Sequence, residues 1–217
     1  METFFVFKVS YCTFALIMKE KILSNAAELF LNYGFKSVTM DDISNHLGIS
    51  KKTIYQHFEN KTKLVEAVTM HVFENISCGI NDICSVKKNP IEEIFDIKQF
   101  VMEHLKDEKS SPQYQLQKYY PKIFNTLKKK QFEVMQDCVK ENLTRGLEQG
   151  LYRPNINIEF ISRIYFNCMV TLKDKELFPL NNFSMNTLMD YYLEYHLRGI
   201  CTEKGLLTLK KFINNQS

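Results

Sequence analysis

Along most of the chain, apolar residues recur with the spacing of amphipathic helices instead of the alternation of strands. In segment 19–33 they lie three or four residues apart and form one stripe, made by Ile22, Ala26, Leu29, Phe30 and Tyr33. Gly34 follows, where the end of a helix favours a left-handed residue, and Phe35 can fold back onto the last turn. The pattern predicts a first helix that ends at Gly34.

Two shorter helices are predicted next, separated by a glycine turn. Thr39 is placed to cap the second helix, with Asp41 and Asp42 in its first turn, and Gly48 ends it. Ser50 is a plausible N-cap for a third helix that runs from 51 to about 58, with Ile54 and Phe58 on its inward side. The side chains left to face outward are those of Lys51, Lys52, Tyr55 and Gln56. Asn60 can cap a fourth helix. Helix, short turn and helix in this order predict a helix-turn-helix with a motif at about 39–58.

Beyond Cys78 the apolar pattern predicts longer helices. The predicted segments are 89–108, 113–130 with a kink or break at Pro121, 132–149, 158–172, and 186–200 with a tail helix to Ile213. The sequence therefore predicts an all-α fold, with an N-terminal three-helix domain at 19–66 that contains the helix-turn-helix. A larger helical domain is predicted at 67–217.

Composition narrows the class of protein but does not choose a function. Hydrophobic residues make up 45% of the chain and charged residues 24%, as in globular proteins. The net charge is only +3, so any basic surface must be local. Five histidines are present without H-E-x-x-H, and no glycine-rich phosphate loop or G-x-S-x-G occurs, so we do not expect an enzyme.

Six cysteines are scattered without C-x-x-C pairs, at Cys12, Cys78, Cys84, Cys138, Cys168 and Cys201. We interpret them as buried free thiols in a reducing cytoplasm, and we expect neither a metal site nor a cofactor.

The first eighteen residues differ from the rest of the chain. They are apolar but contain Lys8, and they lack both a basic start and a small-residue cleavage site. We expect neither a signal peptide nor a membrane anchor, and no membrane partner. Our hypothesis is that translation starts at Met18 and that 1–18 is an N-terminal extension. The alternative is a short strand or helix that caps the N-terminal domain.

The third predicted helix and its flanks carry local basic chemistry. Residues 50–63 contain four lysines and one acid, Glu59. Lysines and hydroxyls can reach phosphates, and groups near the start of the helix can reach base edges in a major groove. Composition alone leaves DNA binding and a solvated surface helix about equally favoured.

The segment 19–64 resembles the DNA-binding domain of the TetR (tetracycline repressor) family of bacterial regulators. The stretches that carry the resemblance are "ELFLNYGF", "DISNHLGIS" and "TIYQHFENKTKL". The later helices fit the family only by number, length and order. The resemblance implies a homodimeric repressor that binds a palindromic operator in double-stranded DNA and is released by an unknown small-molecule effector. It makes 19–66 the DNA-binding domain and 67–217 the helical regulatory and dimerisation domain.

The resemblance also implies roles for individual residues. The implied DNA-binding set is Thr39, Ser50, Lys51, Lys52, Thr53, Tyr55, Gln56, His57 and Lys61. Within it, Tyr55 contacts the DNA backbone and base edges, and the operator sequence is read by Lys51, Lys52 and Gln56. Alternatives stay open for Tyr55, which could pack against the first helix, and for His57 as a core or cap residue.

The predicted second domain offers a dimer surface and an effector pocket. The stripes in 158–200 are wider than a monomer core needs, so this segment is the predicted dimer interface, the alternative being ordinary core helices. Aromatic and adaptable residues mark a pocket region: Phe100, His104, Tyr119, Tyr120, Phe124, Met135, Tyr165, Phe166 and Met169. Such residues more often form core than pocket. An architectural DNA-binding protein without an effector is the alternative function.

Overall fold

The computed structural model describes residues 2–106, 111–179 and 181–216, with side chains described only between residues 15 and 214 of these ranges. The described residues form ten helices and no strand, apart from one isolated bridge between Tyr152 and Cys201. The helices are α1 Glu2–Tyr33, α2 Met40–Leu47, α3 Lys51–His57, α4 Lys61–Ser85, α5 Pro90–His104, α6 Pro112–Tyr119, α7 Pro121–Glu148, α8 Ile158–Thr171, α9 Met185–Ile200 and α10 Glu203–Gln216. The predicted all-α class is confirmed.

Two predicted helices in the middle of the chain are in fact one. The separation between 113–130 and 132–149 was wrong, because α7 runs without interruption from 121 to 148. No glycine or proline lies near 131 to break it. The break comes at Pro121, as expected, because proline disfavours helical backbone in the residue before it. Tyr120 accordingly leaves the helical region, with φ −136° and ψ 56°.

The backbone of α1 is helical from Glu2 through Met18 to Tyr33, so no structural break marks the hypothetical start at Met18. The side chains of the first fourteen residues lie outside the described part of the chain. The start-site hypothesis concerns translation and stays a prediction.

The chain divides into two compact units. The first unit contains residues 1–73 and 109–124, and the second contains 74–108 and 125–217. Residues 67–73 and the α6 segment thus group with the first unit, although the predicted division placed them in a domain at 67–217. That division stays a prediction, because a compact unit is not necessarily an independently folding domain.

The first unit has an apolar core built from the inward faces of its short helices. Its fully buried side chains come from α1, α2, α3 and the start of α4: Ile22, Ala26, Phe30, Ile43, Ile54, Leu64 and Val65. Two of these helices, α2 and α3, have only eight and seven residues, so each buries little area by itself. Their packing against α1 and α4 therefore supplies the stability that their length cannot.

The second unit combines an apolar core with a buried polar cluster. Glu93 of α5 is fully buried and pairs with Arg145 of α7. Asn142 donates to Glu93 Oε1 and to the carbonyl of Pro90, both at 2.9 Å, and accepts from the Tyr152 hydroxyl at 3.0 Å. These bonds tie α5 to α7, and they partly offset the cost of burying a charge. Among the described residues, no helix is long and apolar enough to cross a membrane.

Candidate nucleic-acid interface

The turn after α1 sets the position of the second helix. Gly34 has φ +90°, a left-handed conformation that few other residues adopt, and its N–H donates to the carbonyl of Phe30 at 2.8 Å. The Phe35 ring folds back onto Phe30, with centroids 5.0 Å apart. Both features match the predicted helix end.

The start of α2 is a reciprocal cap between Thr39 and Asp42. The Thr39 hydroxyl accepts from the Asp42 N–H at 3.1 Å, and the Thr39 N–H donates to the Asp42 carboxylate at 2.7 Å. The hydrogen bond from the Thr39 backbone lowers the pKa of Asp42, with a smaller contribution from the Thr39 hydroxyl. Thr39 is exposed, so its predicted contact with DNA is sterically possible, although its side chain already serves the cap.

The turn into α3 also follows the predicted chemistry. Gly48 adopts φ +63° at the end of α2, and Ser50 caps α3 by accepting from the Thr53 N–H at 3.1 Å. The Ser50 and Thr53 hydroxyls lie 2.8 Å apart. Ile54 and Phe58 are buried, as expected, which fixes the rotation of α3 about its axis.

The opposite face of α3 is open to solvent. Lys51, Lys52, Tyr55 and Gln56 are all exposed, and Tyr55 retains 44% of its accessible surface. That exposure disfavours the alternative in which Tyr55 is a packing residue. An exposed phenol beside cations can reach both phosphates and base edges.

Lys51 is not an independent cation. Its Nζ pairs with Asp41 of α2 at 2.8 Å, and this hydrogen bond raises the pKa of Lys51. The pair is exposed and therefore weak, so a phosphate or a guanine edge can compete for the ammonium group. No local sequence pattern reveals this pairing, because its partners lie ten positions apart on different helices.

The remaining members of the predicted DNA-binding set lie at the end of α3 and the start of α4. His57 is half-buried, with its ring 6.4 Å from that of Phe58. Lys61, in the first turn of α4, donates to the carbonyl of Lys36 at 3.2 Å, and partial burial lowers its pKa. Asn60 caps α4 by accepting from the Lys63 N–H at 3.0 Å, as expected.

An element that sequence reasoning did not connect with this surface is α6. Gln115 of α6 accepts from the Lys36 N–H at 3.2 Å, and its amide lies so near Gly34 that a Cβ there would come within 2.2 Å of it. Tyr120 places its ring 6.4 Å from Phe35, and the Lys36 ammonium lies 5.0 Å from the centre of the Tyr119 ring. Residues 79 positions apart carry no local pattern that could have revealed this packing.

The model of the family described as "Bacterial regulatory proteins, tetR family" matches residues 22–68, which run from within α1 to the first turns of α4. This segment of the chain is an N-terminal domain of the tetR family. Its members are DNA-binding transcriptional regulators and not enzymes, so this chain is a DNA-binding regulator with its helix-turn-helix in α2 and α3.

Two relatives of known function align with different shares of the chain. The transcriptional repressor KstR2 of Mycobacterium tuberculosis is 22% identical over 150 residues, which cover 66% of this chain and 73% of the relative. The negative regulator of the biofilm operon icaADBC, IcaR of Staphylococcus aureus, is 32% identical over 91 residues, 42% of this chain and 47% of the relative.

A solved TetR-family regulator from Agrobacterium tumefaciens shares the fold along nearly the whole chain. It is 18% identical, with a TM-score of 0.68, and the alignment covers 87% of this chain and all of that one. At this identity the comparison establishes the fold alone.

The nine residues of the predicted pocket are divided between the two units. Tyr119, Tyr120 and Phe124 belong to the first unit, where Tyr119 and Tyr120 contact the turn after α1. The others lie in the second unit. There Tyr165 is a core residue, and Met135 and Met169 pack against the same core.

The last three members have close ring partners. The Phe100 and His104 rings lie 4.0 Å apart, and Phe166 meets Phe132 edge to face at 5.1 Å.

Proposed function

We propose that the protein is a repressor that binds a palindromic operator as a homodimer and is released from it by a small molecule. The observation that carries this proposal is the exposed face of α3, on which Lys52, Tyr55 and Gln56 project from a helix held by Ile54 and Phe58. One such helix of seven residues contacts little DNA. Two helices related by a dyad, about 34–36 Å apart, can read two half-sites.

A second copy of the chain is the proposed occupant of the outer face of α8 and α9. Phe160 and Ile164 are 59% and 42% exposed on α8, and Tyr191 and Tyr195 are 62% and 78% exposed on α9. Each pair is four residues apart and therefore on one face of its helix. Large exposed apolar side chains in such an arrangement favour an interface, and a palindromic operator requires a symmetric one.

The proposed effector binds in the second unit, near Phe100, His104 and Phe166. Release from DNA follows if the effector binds a second conformation of the protein more tightly than it binds the DNA-binding conformation. We expect α4 to take part, because its first turn carries Lys61 in the first unit while its last turn belongs to the second unit. A cytoplasmic location is part of this proposal.

Fluorescence anisotropy with duplexes that tile the DNA upstream of the protein's own gene tests the operator. We expect one palindromic duplex to bind at least about a thousand-fold more tightly than the rest at physiological salt. Tyr55→Ala should weaken this binding, whereas Tyr33→Ala, another exposed tyrosine of the first unit, should not. Equal binding to every duplex, with a steep dependence on salt, would instead support the architectural alternative.

Sedimentation equilibrium tests the dimer. The double variant Ile164→Glu, Tyr195→Glu should sediment as a monomer and lose operator affinity, because it places carboxylates in an apolar interface. Leu207→Glu is the matched control, since Leu207 is 61% exposed on α10, outside the proposed interface. A double variant that stays dimeric would refute the assignment of the interface.

A further inference from the structure

Two cysteines on different helices of the second unit face each other. Cys84 lies in the last turns of α4 and Cys138 in the middle of α7, and their sulfur atoms are 3.3 Å apart. Both are free thiols, and both are partly buried instead of fully enclosed. The separation is smaller than an ordinary contact between two sulfur atoms, and a disulfide needs only a further approach to about 2.05 Å.

The surroundings of the pair favour a thiolate at Cys84. The hydrogen bond from Cys138 lowers the pKa of Cys84, and the positive charge of Arg145 adds a small contribution in the same direction. The same hydrogen bond, together with burial, raises the pKa of Cys138. Glu93 and Glu141 oppose ionisation of both thiols. Cys84 is therefore the group that would react first with an oxidant, with Cys138 as the thiol that resolves the product.

We propose that Cys84 and Cys138 form a reversible disulfide in response to hydroperoxides and that this cross-link weakens operator binding. The Cys84 thiolate attacks a peroxide oxygen, which gives a sulfenic acid and releases an alcohol or water. Cys138 then attacks the sulfenic sulfur, the S–S bond forms, and water leaves. In total the two thiols lose two electrons and two protons to the peroxide.

The effect on DNA binding rests on the proposed function. The cross-link ties the end of α4 to α7, and the first turn of the same helix carries Lys61, next to α3 in sequence. Because α4 is one continuous helix, a cross-link at its last turns shifts the equilibrium between the positions that the whole helix can adopt. Couplings of this kind typically change affinity about 5- to 150-fold.

Peptide mapping tests the chemical step without any reference to DNA. Hydrogen peroxide is added to the full-length protein, the remaining thiols are alkylated, and tryptic peptides are measured by mass. We expect peptide 64–87 joined to 131–140, lighter than the two reduced peptides together by about 2 Da for the two lost hydrogens.

Peptide 64–87 contains Cys78 as well as Cys84, so variants must assign the bond. Cys78→Ser removes an exposed thiol of the same helix and should leave the linked peptides unchanged. Cys84→Ser and Cys138→Ser should each abolish them. A linked peptide that survives in Cys84→Ser, or wild-type protein that yields only sulfinic acid and no linked peptide, would overturn the proposal.

Operator affinity then tests the consequence. We expect oxidised wild type to bind about ten-fold more weakly than reduced wild type, with full recovery after dithiothreitol and no change in Cys84→Ser. An unaltered affinity of fully cross-linked protein would overturn the regulatory role. If reduced protein binds no operator at all, the proposed function fails, while the peptide map still decides the disulfide.

Discussion

The two units of this protein differ in how far apart along the chain the residues of their internal stabilising contacts lie. In the first unit, the helix ends depend on residues three or four positions apart, such as Thr39 with Asp42 and Ser50 with Thr53. In the second unit, the buried polar bonds join α5 to α7 across about fifty residues, as Glu93 does with Arg145. Local contacts make a motif recognisable in sequence, and distant contacts do not.

The largest expected effect comes from breaking the distant contact of the second unit. Arg145→Met leaves the fully buried Glu93 without its cation, so we expect the free energy of unfolding to fall by about 3–5 kcal/mol. Urea unfolding followed by circular dichroism measures this change. The control is Arg198→Met, which removes an exposed pair with Glu194 and should cost less than about 0.5 kcal/mol. Equal losses in the two variants would contradict the comparison.

A buried histidine should make the stability of the second unit depend on pH. Burial lowers the pKa of His196 to about 4 from its ordinary value of 6.5, and its ring packs on those of Tyr165 and Tyr192. The unfolded chain therefore binds the extra proton first, so this stabilisation is complete above pH 6.5 and is lost as the pH falls towards 4. We expect His196 to contribute a loss of about 2–3 kcal/mol between pH 7 and pH 4.5.

Urea titrations at both pH values measure this contribution. His196→Gln should unfold more easily than wild type at pH 7 and should lose less stability on acidification. The exposed His104→Gln should keep the pH dependence of wild type. If His196→Gln retains the whole dependence, the loss belongs to other groups.

In the first unit the corresponding test removes a local cap. Thr39→Ala deletes the hydroxyl that accepts from the Asp42 N–H, and we expect a loss of about 1 kcal/mol. Thr39→Ser keeps an oxygen in place and should recover most of the stability. Thermal unfolding distinguishes the variants. A loss of stability as large as that of Arg145→Met would show that single hydrogen bonds between neighbouring residues contribute more to this unit than the comparison allows.

The smallest effect is expected for the one long-range contact described in the first unit, the hydrogen bond between Gln115 and Lys36. Gln115→Ala removes the acceptor for the Lys36 N–H. Because Lys36 is exposed, its N–H can form a hydrogen bond with water instead, so we expect the free energy of unfolding to fall by only about 0.5–1 kcal/mol. Gln117→Ala, also on α6 but exposed, should cost almost nothing. Amide hydrogen exchange at Lys36 is the sharper readout, since only Gln115→Ala should accelerate it.

Most of the interface could be predicted, because its geometry follows from residues near one another in the chain. The caps at Thr39, Ser50 and Asn60 and the glycine turns at Gly34 and Gly48 lie where the pattern placed them. The pairing of Lys51 with Asp41 could not be read in the same way, because it requires the angle between two helices.

The residues of a pocket were the least predictable part of the protein. Aromatic residues in the central helices share one sequence signature whether they form a core or line a pocket. Tertiary packing alone separates Tyr165, which lies in the core of the second unit, from Tyr120, which packs on Phe35 in the first.

By itself, the sequence determined the helical class, the helix-turn-helix and the solvent face of α3, because periodicity, caps and glycine turns act over a few residues. Only the tertiary structure decided the grouping of α6 with the first unit, the burial of Glu93 against Arg145 and the approach of Cys84 to Cys138. Each of these joins residues at least fifty positions apart, and the distance between such residues depends on how every helix between them packs.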